Sequence, residues 1–274
     1  MVYRFLLFLA CMQAFAAMAQ WQPVWSDEFD VEGMPDSSRW GYEEGLVRNK
    51  EKQFYTVGRP QNARIELGYL ILEARKENYA NRLYQPGSND WRYMDDSAFY
   101  TSASLITLGK QSFQYGKMEV RAKVPSGLGM WPAIWLVGTN RPQVGWPACG
   151  EIDLMEFVGH DSMHVYGTIH YPDPTGQKTS VSNGGKVYFP KPFFDFHVYG
   201  LEWTPDSLHF KLDGLTYHSA PIEATTKNGD NLFRKPFYLI LNLAVGGTWG
   251  GPVDDANLPK AFMIDYVRYY KRTE

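Results

Sequence analysis

The chain of 274 residues predicts an all-β protein, a two-sheet antiparallel β-sandwich of the jelly-roll type with a ligand cleft across its concave sheet. Short runs of β-branched and aromatic residues follow one another and are separated by turn residues. No helical period is sustained over three turns. Neither an internal repeat nor a Pro- or Ser/Gly-rich linker interrupts this pattern, so residues 20–274 are expected to form one domain.

Residues 1–19 have the composition of an export signal. Arg4 is followed by the apolar run FLLFLACMQAFAAMA, which ends in small residues and is too short for a membrane span. We expect cleavage after Ala19 and export to the periplasm or the medium, with lipidation of Cys11 as the alternative. Cys149 is then the only cysteine of the exported chain, so we expect no internal disulfide and interpret Cys149 as a small buried residue rather than a reactive thiol.

The charge balance narrows the classes of partner. The chain has 27 Lys and Arg against 30 Asp and Glu, a formal net charge of −3, and no run of basic residues. This distribution argues against nucleic acid or an anionic membrane as a partner. We expect a monomer without a membrane span.

Several segments predict individual strands because apolar and polar residues alternate in them or because they are short apolar runs. They are NARIELGYLILEARK with a turn at Gly68, GKMEVRAKV, HVYGTIHY, FHVYGLEW, LHFKLDG, FYLILNLAV and AFMIDYVRYYK.

The stretch Gly145–Gly159, GWPACGEIDLMEFVG, predicts a strand that is unusually rich in acid. Glu151, Asp153 and Glu156 fall within six residues, among apolar neighbours. Side chains of a regular strand alternate between its faces, so Glu151 and Asp153 share one face, whereas Glu156 would point into the core beside Ile152. An unpaired carboxylate in that position would cost several kcal/mol.

A β-bulge at Leu154–Met155 would remove this conflict. One extra residue returns Glu156 to the face of the other two acids and turns Phe157 into the core. Two glutamates about 5 Å apart, with a third acid that keeps one of them protonated, are what a retaining glycosidase requires. Spacing alone leaves two alternatives open, a solvated acidic edge strand and a calcium site.

The segment GEIDLMEF resembles the signature of glycoside hydrolase family 16, which is Glu, apolar, Asp, apolar, an optional extra apolar residue, and Glu. The form with the extra residue, here Met155, is similar to the laminarinase branch of endo-β-1,3-glucanases, whereas the lichenase branch lacks it. Further segments across the chain resemble laminarinases, among them WSDEF, NKEKQFYT, YTSASL, YGKMEVRAKVPSG, WPAIWLVG, FHVYGLEWTPD, NLAVGGTWGG and FMIDYVRYY.

The resemblance implies a role for each acid. Glu151 would be the nucleophile and Glu156 the acid/base, while Asp153 would orient and tune the pair. This chemistry requires no redox cofactor and no catalytic metal. The implied ligand is a β-glucan polysaccharide or oligosaccharide.

Aromatic residues make up 16% of the chain, which is more than a core alone usually needs. Sugars pack their C–H faces on aromatic rings while their hydroxyls pair with polar groups. By resemblance the candidates for sugar contacts are Trp131, Trp135, Trp146, Trp249, Asn49 and His170. Taken one at a time, the tryptophans fit a core, Asn49 a turn, and His170 a hydrogen-bonded strand position.

A structural calcium is implied by the resemblance and not by composition. Its ligands would be Glu28, the carbonyl of Gly68, and Asp265, because oxygen donors of this mixture suit calcium. The alternative is that Glu28 and Asp265 make surface hydrogen bonds.

The expected function is endo-acting, retaining hydrolysis of internal β-1,3 bonds in laminarin-type glucans. One alternative keeps the chemistry and changes the substrate to mixed-linkage β-glucan or a galactan such as agarose. Another is a glucan-binding protein without activity, since a fold alone does not establish catalysis. The presence of both glutamates argues against that last reading.

Overall fold

The structure is a computed structural model that describes residues 20–226 and 229–273. The predicted export signal, with Cys11, lies outside the described residues. In the described part of the chain, no helix is long and apolar enough to cross a membrane.

Strands make up nearly all of the regular structure in the described residues. In chain order they are β1 Trp21–Asp27, β2 Gly41–Tyr42, β3 Gln53–Tyr55, β4 Ala63–Glu66, β5 Tyr69–Ala80, β6 Ser97–Ser102, β7 Ser104–Ile106, β8 Gly116–Lys123, β9 Met130–Gly138, β10 Glu151–Glu156, β11 His164–Pro172, β12 Ser180–Tyr188, β13 His197–Trp203, β14 Ser207–Leu212, β15 Leu215–Pro221, β16 Phe237–Val245 and β17 Lys260–Arg272. The helices are single turns: α1 Arg141–Val144 and α2 Gly247–Gly250, with 3₁₀ turns at Glu223–Thr225, Leu232–Arg234 and Asp255–Asn257.

The strands form two sheets, which confirms the predicted jelly-roll sandwich. The first has ten strands in the order β15-β14-β13-β8-β17-β5-β6-β3, with β1 beside β17 and β4 beside β5. The second has seven strands in the order β12-β11-β10-β9-β16-β7-β2. Within the described residues the strand pairs are antiparallel, except that β3 runs parallel to β6.

The predicted turn at Gly68 is confirmed. It joins β4 to β5 with Glu66 opposite Tyr69. The two central residues, Leu67 and Gly68, have φ angles of 54° and 78°. Two positive φ values in a two-residue hairpin loop match the right-handed twist of the flanking strands, and glycine tolerates that conformation without strain.

The centre of the seven-stranded sheet is buried on both faces. Every residue of β9 and β16 is buried. One face of β16, with Leu239, Leu241 and Leu243, packs in the main core between the sheets. On the other face Ile240 and Asn242 are buried as well, and Ile240 packs in a second, smaller cluster with neighbours such as Trp135 and Tyr238. Burial on both faces explains why the sequences of these strands are continuous apolar runs.

Cys149 is buried at the approach to β10, as predicted. Burial raises the pKa of its thiol to about 11, so the reactive thiolate is disfavoured near neutral pH.

Candidate active site

The bulge predicted in the acidic strand is present in β10. Against β9, Asp153 pairs with Trp135 and Met155 pairs with Ile134, so Leu154 is an extra residue in the ladder. Leu154 and Met155 both lie in the main core. The acids therefore return to one face, as the parity argument requires.

Phe157, the residue after the strand, also lies in the main core, as predicted. Glu151, Asp153 and Glu156 all open into one cavity of about 630 Å³ on the outer face of the seven-stranded sheet. The same cavity is lined by every residue predicted to contact sugar: Asn49, Trp131, Trp135, Trp146, His170 and Trp249.

The middle acid is the least accessible of the three. Asp153 is 3% exposed, while Glu151 and Glu156 are partly exposed to the cavity. Nε2 of His170 lies 3.2 Å from Oδ2 of Asp153, yet that oxygen has no aligned hydrogen-bond partner among the described residues. A buried carboxyl oxygen without a donor favours the protonated acid.

The surroundings also favour protonation of the two glutamates. Burial raises the pKa of Glu151 to about 8, and the neighbouring Asp153 adds to the rise. Burial, followed by the charge of Asp153, raises the pKa of Glu156 well above its usual value. A hydrogen bond of 3.0 Å that Nε1 of Trp131 donates to Oε1 of Glu156 acts in the opposite direction and lowers the pKa. Three crowded carboxyls therefore share protons near neutral pH, which provides both an acid and a base.

Aromatic rings enclose the Glu156 side of the cavity. Trp131 and Trp249 meet edge to face with centroids 5.4 Å apart, and Tyr166 meets Trp249 at 5.0 Å. Trp146 also lines the cavity and is 46% exposed. Such rings offer flat apolar surfaces of the kind on which sugar faces pack.

A second group of charges lies under the opposite side of the cavity, around the guanidinium of Arg48. It pairs with Glu43 and lies 4.8 Å from the ring centroid of Trp135. Burial alone would raise the pKa of Glu43, but the charge of Arg48 holds this pKa below its usual value. Arg48 therefore compensates a buried acid and stacks on a cavity residue at the same time.

Glu51 and Asn242 complete this network. Glu51 accepts hydrogen bonds from Gln53 Nε2 at 2.7 Å and from Tyr55 Oη at 3.2 Å. Asn242 accepts one from Trp135 Nε1 at 2.7 Å. Each side chain is thereby fixed by a partner, so this part of the cavity is preorganised.

Sequence reasoning did not identify several residues that line the cavity. The largest are Arg48, Glu51, Arg141, Tyr166 and Asn242. Tyr166 and Thr168 could have been found from His170, because alternate residues of a strand share a face. Arg141 and Asn242 have no local signal, since their contacts are with distant segments. Arg48 and Glu51 have partners within five residues, but their segment has no regular alternation that would assign them to a cavity.

One group of ligand atoms in the cavity has the spacing of a metal site. Donor atoms of Glu151, Asp153 and His170 all lie within 4.8 Å of one another. The three residues line the cavity together with Glu156.

The predicted calcium ligands do not fit a calcium ion as they are arranged. Both carboxylate oxygens of Glu28 accept hydrogen bonds from Arg268, the shortest at 2.7 Å. Asp265 pairs with Arg121 at 2.5 Å. Guanidinium groups thus occupy the oxygens that an ion would need, and calcium at Glu28, Gly68 and Asp265 remains a prediction.

Comparison with known proteins agrees with this geometry. The family model of glycosyl hydrolases family 16 matches residues 50–268. A β-glucanase of Rhodothermus marinus is 42% identical, over 93% of this chain and 86% of that protein.

Two solved structures extend the comparison. The laminarinase catalytic domain of Thermotoga maritima is 39% identical with a TM-score of 0.79, over 93% of this chain and 99% of that one. A second structure comes from work on endo-acting O-glycanases that members of the human gut microbiota express to initiate mucin breakdown. It is 42% identical with a TM-score of 0.86, over 93% of this chain and 92% of that one. The chain belongs to glycosyl hydrolase family 16.

Proposed function

We propose that this protein is an endo-β-1,3-glucanase that hydrolyses internal bonds of laminarin-type glucans with retention of anomeric configuration. The observation that supports it most directly is the bulged strand β10, which presents Glu151, Asp153 and Glu156 together in one aromatic-walled cleft. The β-glucanase and laminarinase relatives support the choice of polymer.

In the first step, an ionised oxygen of Glu151 attacks the anomeric carbon. The glycosidic C–O bond breaks as the protonated carboxyl of Glu156 delivers its proton to the leaving oxygen, and a glycosyl ester of Glu151 forms. The raised pKa of Glu156 keeps that proton in place until the bond breaks.

In the second step, Glu156 acts as the base. It takes a proton from water, the water oxygen attacks the anomeric carbon, and the ester bond to Glu151 breaks. The proton that Glu156 lost is restored, so the cycle closes without a cofactor. Buried Asp153, beside His170, influences how the protons are divided between the two glutamates.

A second candidate keeps these steps and changes the glycan. The structure from work on gut O-glycanases has a higher TM-score to this chain than the Thermotoga laminarinase, 0.86 against 0.79. This observation favours a mucin-type O-glycan as the alternative substrate class. Mixed-linkage β-glucan and agarose remain further alternatives.

Export and oligomeric state belong to the same proposal. We propose that residues 1–19 direct export and that the mature chain acts as a monomer on extracytoplasmic glucan. Mass spectrometry of the exported chain and light scattering in solution measure the two properties directly.

The experiment that tests the substrate is a panel of polymers: laminarin, mixed-linkage β-glucan, cellulose, agarose and mucin O-glycans. We expect fast release of short oligosaccharides from laminarin, slower cleavage of mixed-linkage glucan near its β-1,3 segments, and no action on cellulose or agarose. Faster release from mucin O-glycans or agarose than from laminarin would replace the leading candidate. Binding to laminarin without cleavage would support a binding protein instead.

A further inference from the structure

A second concave surface adjoins the proposed active site. It has a volume of about 670 Å³, opens widely to solvent, and lies between residues 47–50 and residues 89–92. Arg48 and Asn49 line this groove and the catalytic cavity alike. The two surfaces therefore adjoin at Arg48 and Asn49.

The outer wall of the groove is a long loop, residues 81–96, whose two ends are tied together. Asn81 is 4% exposed. Its side-chain amide donates to the carbonyls of Arg92 at 3.1 Å and Asp95 at 2.9 Å, and its side-chain oxygen accepts from the amide of Leu83 at 3.0 Å. Because the buried side chain of Asn81 makes hydrogen bonds through both its nitrogen and its oxygen, it fixes the loop conformation, and the groove is formed before any ligand binds.

The two loops that form the groove are also fastened to each other. Arg82 pairs with Glu44 at 2.7 Å. Leu83 packs against Gly45, where an added Cβ would come 2.7 Å from Leu83 Cδ1 and where φ is +97°. Glycine is thus required for the close approach of the loops. These contacts join the segments that precede the two walls.

The lining of the groove suits a sugar. Partly exposed Trp91 lines the groove together with Asn49 and Asn89. Arg92 is neutralised by Asp90, which accepts from its Nε at 3.0 and 3.1 Å. Lys50 adds an exposed ammonium group, which can donate hydrogen bonds to hydroxyls. An aromatic ring beside polar side chains matches the C–H face and hydroxyls of a sugar.

We propose that this groove is a distal subsite that binds a further sugar unit of the same β-glucan chain whose bond is cleaved between Glu151 and Glu156, with Trp91 as the stacking residue. The proposal rests on the proposed function, because the position of the groove next to the cleft identifies the occupant. Its consequence is a dependence on chain length: an oligosaccharide long enough to reach Trp91 gains binding that a shorter one lacks.

The test is Trp91→Ala, assayed as kcat/KM on β-1,3-gluco-oligosaccharides of increasing length. We expect shorter substrates to react at the wild-type rate, and kcat/KM on longer ones to fall about tenfold, the loss typical of removing a stacked aromatic contact. Trp91→Phe should retain part of the gain with length. Phe99→Ala is the matched control, because Phe99 is 65% exposed on β6 and lines neither concave surface.

Two results would overturn the subsite. They are an equal loss at every length, which would make Trp91 a support for the cleft, and no loss at any length. Thermal unfolding of each variant identifies a loss caused by misfolding, in which case Trp91→Phe decides the question. Failure of the proposed function can be distinguished from failure of the subsite proposal, because the wild-type protein would then cleave no β-1,3-gluco-oligosaccharide of any length.

Discussion

Two groups of buried acids lie beside the same cleft, and they differ in what balances their charge. Glu43 pairs with the guanidinium of Arg48, and the same charge acts on Glu51, although burial still raises the pKa of Glu51. The acids of β10 have no such partner: within residues 20–226 and 229–273, neither Glu151 nor Glu156 forms an ion pair with lysine or arginine. Protons must therefore take the place of a cation in the second group.

The difference separates a structural role from a chemical one. The charge of Arg48 keeps Glu43 ionised, and a permanently ionised acid cannot deliver a proton at neutral pH. Burial without a cation raises the pKa of Glu151 to about 8, so this acid exchanges protons in the range where enzymes work. Crowding of unpaired acids costs stability, and it also creates the proposed reaction centre.

The largest effect is expected at the unpaired group. Glu151→Gln keeps the shape of the cleft and removes the nucleophile, so turnover should fall on the order of 10⁴-fold or more while laminarin still binds. Turnover on laminarin and affinity electrophoresis measure the two properties. An activity within tenfold of wild type would remove Glu151 from the mechanism.

At the paired group the effect should be on stability. Arg48→Ala leaves buried Glu43 with only the more distant Arg141, 4.0 Å away, so the free energy of unfolding should fall by about 3–5 kcal/mol. For a domain of this size that lowers Tm by about 2–4 °C per kcal/mol. The control is Arg82→Ala, which breaks the exposed pair with Glu44 and should cost at most about 1 kcal/mol. Equal Tm values for the two variants would contradict the comparison.

The pH dependence of kcat/KM in an Asp153→Asn variant tests how the unpaired acids affect one another. Removal of a neighbouring carboxyl removes a cause that raises the pKa of Glu151 and Glu156, so both pKa values should fall. The acidic limb of the kcat/KM profile reports deprotonation of the nucleophile, and the basic limb reports deprotonation of the acid. Both limbs should move to lower pH, while kcat also decreases. Movement of either limb to higher pH would show that Asp153 acts by another route.

The smallest effect concerns calcium. Glu28 and Asp265 resemble the first group, since Arg268 and Arg121 already balance them. Addition or chelation of calcium should therefore change Tm by less than about 1 °C, because an ion must displace a guanidinium to bind. Calorimetry with calcium and with chelator measures this. A clear rise of Tm with calcium would restore the predicted site.

The sequence predicted those parts of the molecule that depend on neighbours in the chain. The bulge at Leu154 follows from the parity of Glu156 alone, and the turn at Gly68 follows from one glycine between two alternating segments. The ion pair of Arg268 with Glu28 joins residues 240 positions apart, and no local pattern reports such a contact. Arg48 was missed although Glu43 is only five residues away, because its place in the cavity depends on its contact with the distant Trp135.

Stereochemistry tests the central claim most directly, that the unpaired glutamates of β10 carry out a double displacement. Proton NMR of freshly cleaved β-1,3-gluco-oligosaccharide shows which anomer appears before mutarotation. The β-anomer should form first, because the glycosyl ester of Glu151 inverts the configuration once and water inverts it again. Initial formation of the α-anomer would mean that water attacks directly, and would contradict the assignment of Glu151 as the nucleophile.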